Sequence, residues 1–178
     1  MNNRPAKSVT MKPITSPANS GPLIDTPLAA FLQTGVAICV AACDRELDPT
    51  LARAAGCRVS EDRRNVTIFL SATQGAPVLQ CIRENGRLAV VFGQPSTNRT
   101  VQLKGIGTKI GVPQPEDWPI IEGYRDAFVR DVQLIGFEEA LTRTLLAMDD
   151  LVSLHFTPDS AYLQTPGPKA GECLNTKT

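Results

Sequence analysis

Short apolar runs of strand character follow one another along this chain, several of them joined by links too short for a crossover. Val66, Ile68 and Leu70 alternate with Thr67, Phe69 and Ser71, and Arg99–Ile110 alternates Val101, Leu103 and Ile106 with polar partners; Val36–Cys43 is a β-branched apolar run with small residues on one alternating face, and Cys57–Ser60, Arg87–Phe92 and Leu151–Phe156 read as further strands. Strands linked this closely pair antiparallel, because a parallel return needs a dozen or more residues. The runs are not separated by regular helices, so a doubly wound sheet is ruled out. About six such strands with short helices in the links predict an α+β chain, mainly β, built as an antiparallel barrel.

The links are legible too. Asp25–Thr34 predicts a short helix, with a capping residue, Pro27 in the first turn and Leu28, Phe31 and Leu32 at helical spacing. Asp48-Pro49 followed by Leu51, Ala54 and Ala55 predicts a second, ended by Gly56. Glu61–Arg64 is a hairpin turn, and Pro77–Asn85 is a helix stopped at Asn85-Gly86. Gly105 and Gly107 in the long run after Arg99 mark a bulge. Residues 115–146 turn helical, around Ile120, Tyr124 and Phe128 and then Phe137, Leu141 and Leu145, with Gly136 as the break. Ala161–Leu163 reads as a short last strand, separate from Leu151–Phe156.

With 178 residues, one core is expected over 25–165, with the helical insertion at 115–146. The Pro-, Ser- and Asn-bearing residues 1–24 read as a solvated lead, and the Pro-Gly stretch 166–178 as an irregular tail. Lys and Arg total 18 and Asp and Glu 18, so no global field holds nucleic acid or an anionic membrane. The charge is unevenly placed, however. Residues 116–150 hold nine acids against three arginines, whereas 87–115 hold no acid at all. Residues 1–22 show no apolar signal core, and the longest apolar run, Val36–Cys43, is far short of the roughly 20 residues that span a bilayer. A cytoplasmic protein is the expectation.

Chemistry-bearing motifs are sparse. The five cysteines form no CxxC pair and read as reduced thiols, and with a single histidine, His155, no metal site is expected. GxSxG, HExxH, the P-loop and a complete GxGxxG are all absent. Catalysis in such a chain rests on a bound cofactor, which carries its own reactivity. The strongest cradle is Pro95-Ser96-Thr97-Asn98-Arg99-Thr100 with Lys104 beyond it, since hydroxyl, amide and guanidinium donors suit a phosphate. The same residues also suit an ordinary turn that bonds its own backbone. The small residues Ala37, Cys39, Ala41 and Cys43 share one face of their run and let something flat lie close.

Gly86–Phe92 followed by Pro95–Gly105, with its Arg99-x-Val101-x-Leu103-x-Gly105 strand, resembles the pyridoxamine 5′-phosphate oxidase-like, FMN-binding split-barrel family. The order of elements agrees over about 25–165. The resemblance implies a homodimer that binds FMN at the subunit interface and acts as an oxidoreductase on a small molecule. It puts Arg99 and Thr100 at the flavin, has Ser71 and Thr73 follow a contacting strand, and passes the backbone of Ala41, Ala42 and Cys43 beneath the ring. With Ser96, Thr97 and Lys104 these complete the expected cofactor residues. Relatives of this barrel also bind haem, for which His155 is the one candidate imidazole, and nothing in the residues excludes a deazaflavin. The chain departs from the pattern in two places. Pro77 and Val78 stand where the oxidases carry an Arg-Lys phosphate pair, and the Pro-Gly tail lacks their terminal Trp and Arg. Vitamin B6 oxidation itself is therefore not expected, and a cofactor-free structural or regulatory dimer is the remaining alternative.

Overall fold

A computed structural model describes residues 22–147 and 149–174. Most of the lead segment thus lies outside the described residues. Helix α1 (Thr26–Leu32) starts where Asp25 caps it, its carboxylate accepting from the Leu28 N–H at 2.8 Å. Six strands follow: β1 (Ala37–Cys43), β2 (Pro49–Val59), β3 (Val66–Ser71), β4 (Leu88–Gly93), β5 (Thr100–Gly111) and β6 (Leu151–Leu163). They close into an antiparallel barrel in the order β1-β2-β3-β6-β5-β4. This is the fold class that the alternation predicts.

The period-two pattern sends one side chain of each pair inward. Ile38 and Val40 of β1, Val90 and Phe92 of β4, Val101 and Leu103 of β5, and Leu154 and Phe156 of β6 fill the interior. Each is worth about 1.5–3 kcal/mol against exposure. The two ends are stopped by helices. α1 buries Leu28, Phe31 and Leu32 at the end where Gln33 accepts the Val59 N–H. Helix α2 (Ala76–Asn85) buries Val78, Leu79, Cys81 and Ile82 at the other, and ends on Gly86, whose left-handed φ of 69° suits a residue without Cβ.

Two expectations are corrected. Residues 49–56 are not a helix but the first part of the 11-residue strand β2. A register shift between Ala54 and Gly56 marks a bulge there, and a bulge moves apolar residues off strict alternation. Leu51, Ala54 and Ala55 thereby acquire helix-like spacing while remaining extended. Leu151–Leu163 is one strand, not two. Pro158 lies opposite Gly105 and Ser160 opposite Lys104, so Asp159 is the extra residue of a bulge that the chain passes without leaving the ladder.

After β5, a single 3₁₀ turn (Pro115–Asp117) leads into α3 (Trp118–Gln133) and α4 (Glu139–Leu145), the helix pair read from the sequence. α3 crosses the outside of the barrel. Ile121 packs with Ala55, Phe69 and Leu151 over β2 and β3, Ala127 meets Gly35 at the α1–β1 corner, and Asp131 reaches the β4–β5 turn. Beyond β6 the chain folds back, and Tyr162 bridges Cys173.

Candidate functional site

The outer face of β1, β4 and β5 is built from the residues that alternation leaves outside. On β1 these are the half-exposed Ala37, Cys39, Ala41 and Cys43; on β4, Arg87 just before the strand, then Ala89, Val91 and Gly93. On β5 they are Thr100, Gln102 and Lys104. The register aligns them in rows. Ala41 lies opposite Leu51 on one side and Ala89 on the other, and Ala89 lies opposite Lys104. The next row runs Arg53, Cys39, Val91, Gln102 and Tyr162. Small side chains thus floor a strip two strands wide, bounded by β2 and β5. Those bounding strands are about 14 Å apart, three inter-strand spacings. A tricyclic aromatic ring fits that width.

Cations edge the strip. Arg53 lies 5.6 Å over the Phe128 ring and Lys104 5.0 Å over the Tyr162 ring. Among the described residues, Arg53, Arg87 and Lys104 form no ion pair with a carboxylate; the ion pairs use Arg58, Arg125 and Arg143. Arg87 and Lys104 come from the acid-free stretch 87–115, which supplies β4 and β5, and Arg53 from β2.

The donors expected to grip a phosphate do not come together. Ser96 gives its N–H (3.1 Å) and its hydroxyl (2.6 Å) to the Asp131 carboxylate, and Gln94 adds its amide at 3.1 Å. Thr97 donates to Gln94 Oε1, and Thr100 to the Asn98 carbonyl, so the stretch 95–100 is a turn that bonds itself. Arg99 is stacked 4.1 Å over Phe31 at the α1 end. Lys104 is five residues of strand away, about 17 Å, on the outer face. Ser71 and Thr73 lie at the α2 end and serve Asp150, whose carboxylate takes the Thr73 N–H at 2.7 Å. The Ser71 hydroxyl, then Thr73, hold that carboxyl down at about 2. Of the backbone trio, Ala41 and Cys43 face out while Ala42 faces the core. The residues therefore fit the ring of a flavin and, as read from sequence, not its phosphate.

His155 belongs to a separate cluster on the outside of β3 and β6. Its Nδ1 lies 3.1 Å from Thr67 Oγ1 and its Nε2 2.9 Å from Ser153 Oγ, so both nitrogens are committed. Burial, then the Arg58 charge, lowers its pKa, with Asp117 opposing. The fully buried Asp117 approaches Arg58 Nε at 3.0 Å, an ion pair whose N–H is not aimed at the oxygen. Its other oxygen accepts the Gln114 N–H. Among the described residues no group of three or more His, Cys, Asp or Glu could hold a metal, and no helix is long and apolar enough to cross a membrane.

Sequence reasoning missed Arg87 and Ala89 as partners of Ala41 and Lys104. Alternation alone puts 87, 89 and 91 on one side; only the cross-strand register shows whose side it is.

No protein-family model matches the sequence, and no curated protein matches it. Solved structures do. HupZ from group A Streptococcus is 13% identical with a TM-score of 0.50, covering 83% of this chain and 99% of that one. HutZ, the haem storage protein of Vibrio cholerae, is 9% identical (TM-score 0.46; 79% and 94% covered). A pyridoxamine 5′-phosphate oxidase-related FMN-binding protein of Nostoc punctiforme is 10% identical (TM-score 0.42; 76% and 77% covered). At such identities the likeness to HupZ is one of fold.

Proposed function

From this split-barrel fold, we propose that the chain is a flavin-binding protein, with the planar ring of FMN laid on the outer β1–β4 strip, acting as an oxidoreductase on a small molecule. The observation that carries the reading is the strip itself: Ala41 and Ala89 side by side, flanked by cations that form no ion pair among the described residues. Side chains of one carbon let a flat ring approach the backbone closely. Gln102 and Thr100 stand along the β5 margin as hydrogen-bonding groups for its polar edge. A bound flavin supplies hydride or electron transfer. The margins carry Leu51 and Ile106, 68% and 58% exposed. An apolar rim of this kind favours cover by a second copy, as in the homodimer that the resemblance implies.

A second reading is supported by Asp131 and Asp150, carboxylates of the chain itself that occupy donors expected to serve a phosphate. It makes the protein a structural or regulatory dimer without cofactor. The visible spectrum of the purified protein, before and after excess FMN and removal of what is unbound, separates the two. Retained or acquired flavin bands support the first reading. A colourless protein that takes up no FMN sinks it and leaves the second, and a Soret band sends both aside in favour of haem.

A further inference from the structure

We infer that Arg87 and Lys104 act together as an oxyanion grip on this face, taking the phosphate monoester of the ligand whose flat part lies on Ala41 and Ala89. The inference rests on the flavin reading and replaces its missing element, the charges that Pro77 and Val78 do not provide.

The placement comes from register. Lys104 lies directly opposite Ala89, and Arg87 is two residues before Ala89 on the same strand side. The two cations are thus diagonal cross-strand neighbours, with Cβ atoms about 7–8 Å apart. Both side chains are exposed and long enough to meet over one phosphate. Like charges this close on one sheet face repel, and a dianion between them reverses the sign of that term.

The nearby carboxylates are turned elsewhere. Asp44, just beyond Cys43, accepts the Asp48 N–H at 2.9 Å; Asp159, beside Ser160, accepts the Ser160 hydroxyl at 2.8 Å; Glu84 accepts the Gln80 amide at 2.7 Å. Tyr162, on β6 and on the side of Lys104 away from Arg87, holds the ammonium at 5.0 Å without neutralising it, so the flexible lysine stem has to turn towards β4 to complete the grip. The pair also divides the labour chemically. A guanidinium binds two phosphate oxygens in one plane, and an ammonium adds a point charge from the other side.

The test compares FMN with riboflavin, which differ only in the phosphate, on the full chain and on Arg87→Ala, Lys104→Ala and the double variant. Circular dichroism and unfolding midpoints confirm that each variant folds. The wild type is expected to prefer FMN by tenfold or more. Each single change should weaken FMN about tenfold, as for loss of a hydrogen bond to a charged group, and leave riboflavin unmoved. Arg87→Lys should recover part of the loss. If FMN and riboflavin bind alike and the variants change neither, the grip is overturned while the flavin reading stands. Should neither flavin bind the wild type, the flavin reading fails and inorganic phosphate, followed by ³¹P NMR, becomes the probe. Phosphate binding that disappears in the double variant then upholds the grip, and no binding overturns it.

Discussion

Replacing Gly35 by alanine tests how α3 is held on the barrel. A Cβ at Gly35 would stand 2.1 Å from the Ala127 carbonyl carbon and 2.2 Å from the Phe128 nitrogen. Ordinary carbon contacts begin near about 3.5 Å, so the helix backbone has to retreat by about 1.4 Å at that point. A gap of that size forfeits more than half of the attraction across it. Tyr124 and Phe128, buried within a turn of the contact, are each worth about 1.5–3 kcal/mol. Losing half of both gives a destabilisation of about 1.5–3 kcal/mol, in line with measured overpacking costs. For a chain of this size that lowers the melting midpoint by about 3–12 °C. Urea unfolding followed by circular dichroism and by the fluorescence of the single tryptophan, Trp118, which opens α3, reads both. Gly123→Ala is the control. That glycine is inside the same helix with nothing within 4 Å of its added carbon, and the change should stabilise by about 0.5–1 kcal/mol. A Gly35→Ala protein within 0.5 kcal/mol of the wild type, or one affected no differently from Gly123→Ala, would refute the close-approach argument.

Asp131→Asn leaves Ser96 and Gln94 facing a neutral amide, and the β4–β5 turn should loosen at a cost of about 1–3 kcal/mol; unchanged hydrogen exchange at the Ser96 amide would contradict this. Asp150 should titrate near its lowered value of about 2 in the folded protein. Its contribution to stability is complete above the ordinary carboxylate range and lost as pH falls towards 2, and a carboxyl carbon NMR titration with an unshifted midpoint would refute that. His155, whose pKa is lowered mainly by burial, takes up its proton more readily in the unfolded chain. Its contribution is therefore whole above its ordinary value of 6.5 and declines as pH drops below it. Between pH 7.5 and 5.5 the wild type should lose more stability than His155→Gln, and parallel losses would count against the assignment.

The structure legible along the chain is local. Alternation on β3 and short apolar runs on β1 and β4 placed those strands, a capping residue at Asp25 or Thr26 placed α1, and Asn85-Gly86 placed the end of α2, because each signal is carried by residues within one turn or one strand. The long β5 with its glycine-marked irregularity was legible for the same reason. Where a bulge interrupts the alternation, the local signal misleads. Leu51, Ala54 and Ala55 took on helical spacing in β2, and β6 was read as two strands either side of residues 157–160, since each of these two bulges is a relation to the neighbouring strand that the local pattern did not mark. The site shows the same division. Small residues on β1 and the hydroxyl cluster at 95–100 could be seen, but the partners of those hydroxyls could not. Asp131 lies 35 residues from Ser96 and Asp150 lies 77 from Thr73, so only the closed barrel and the crossing of α3 decided that carboxylates would occupy those donors. The same closure set Arg87 and Lys104 on one face of paired strands, because cross-strand register is fixed by the packing of the barrel interior rather than by either strand alone.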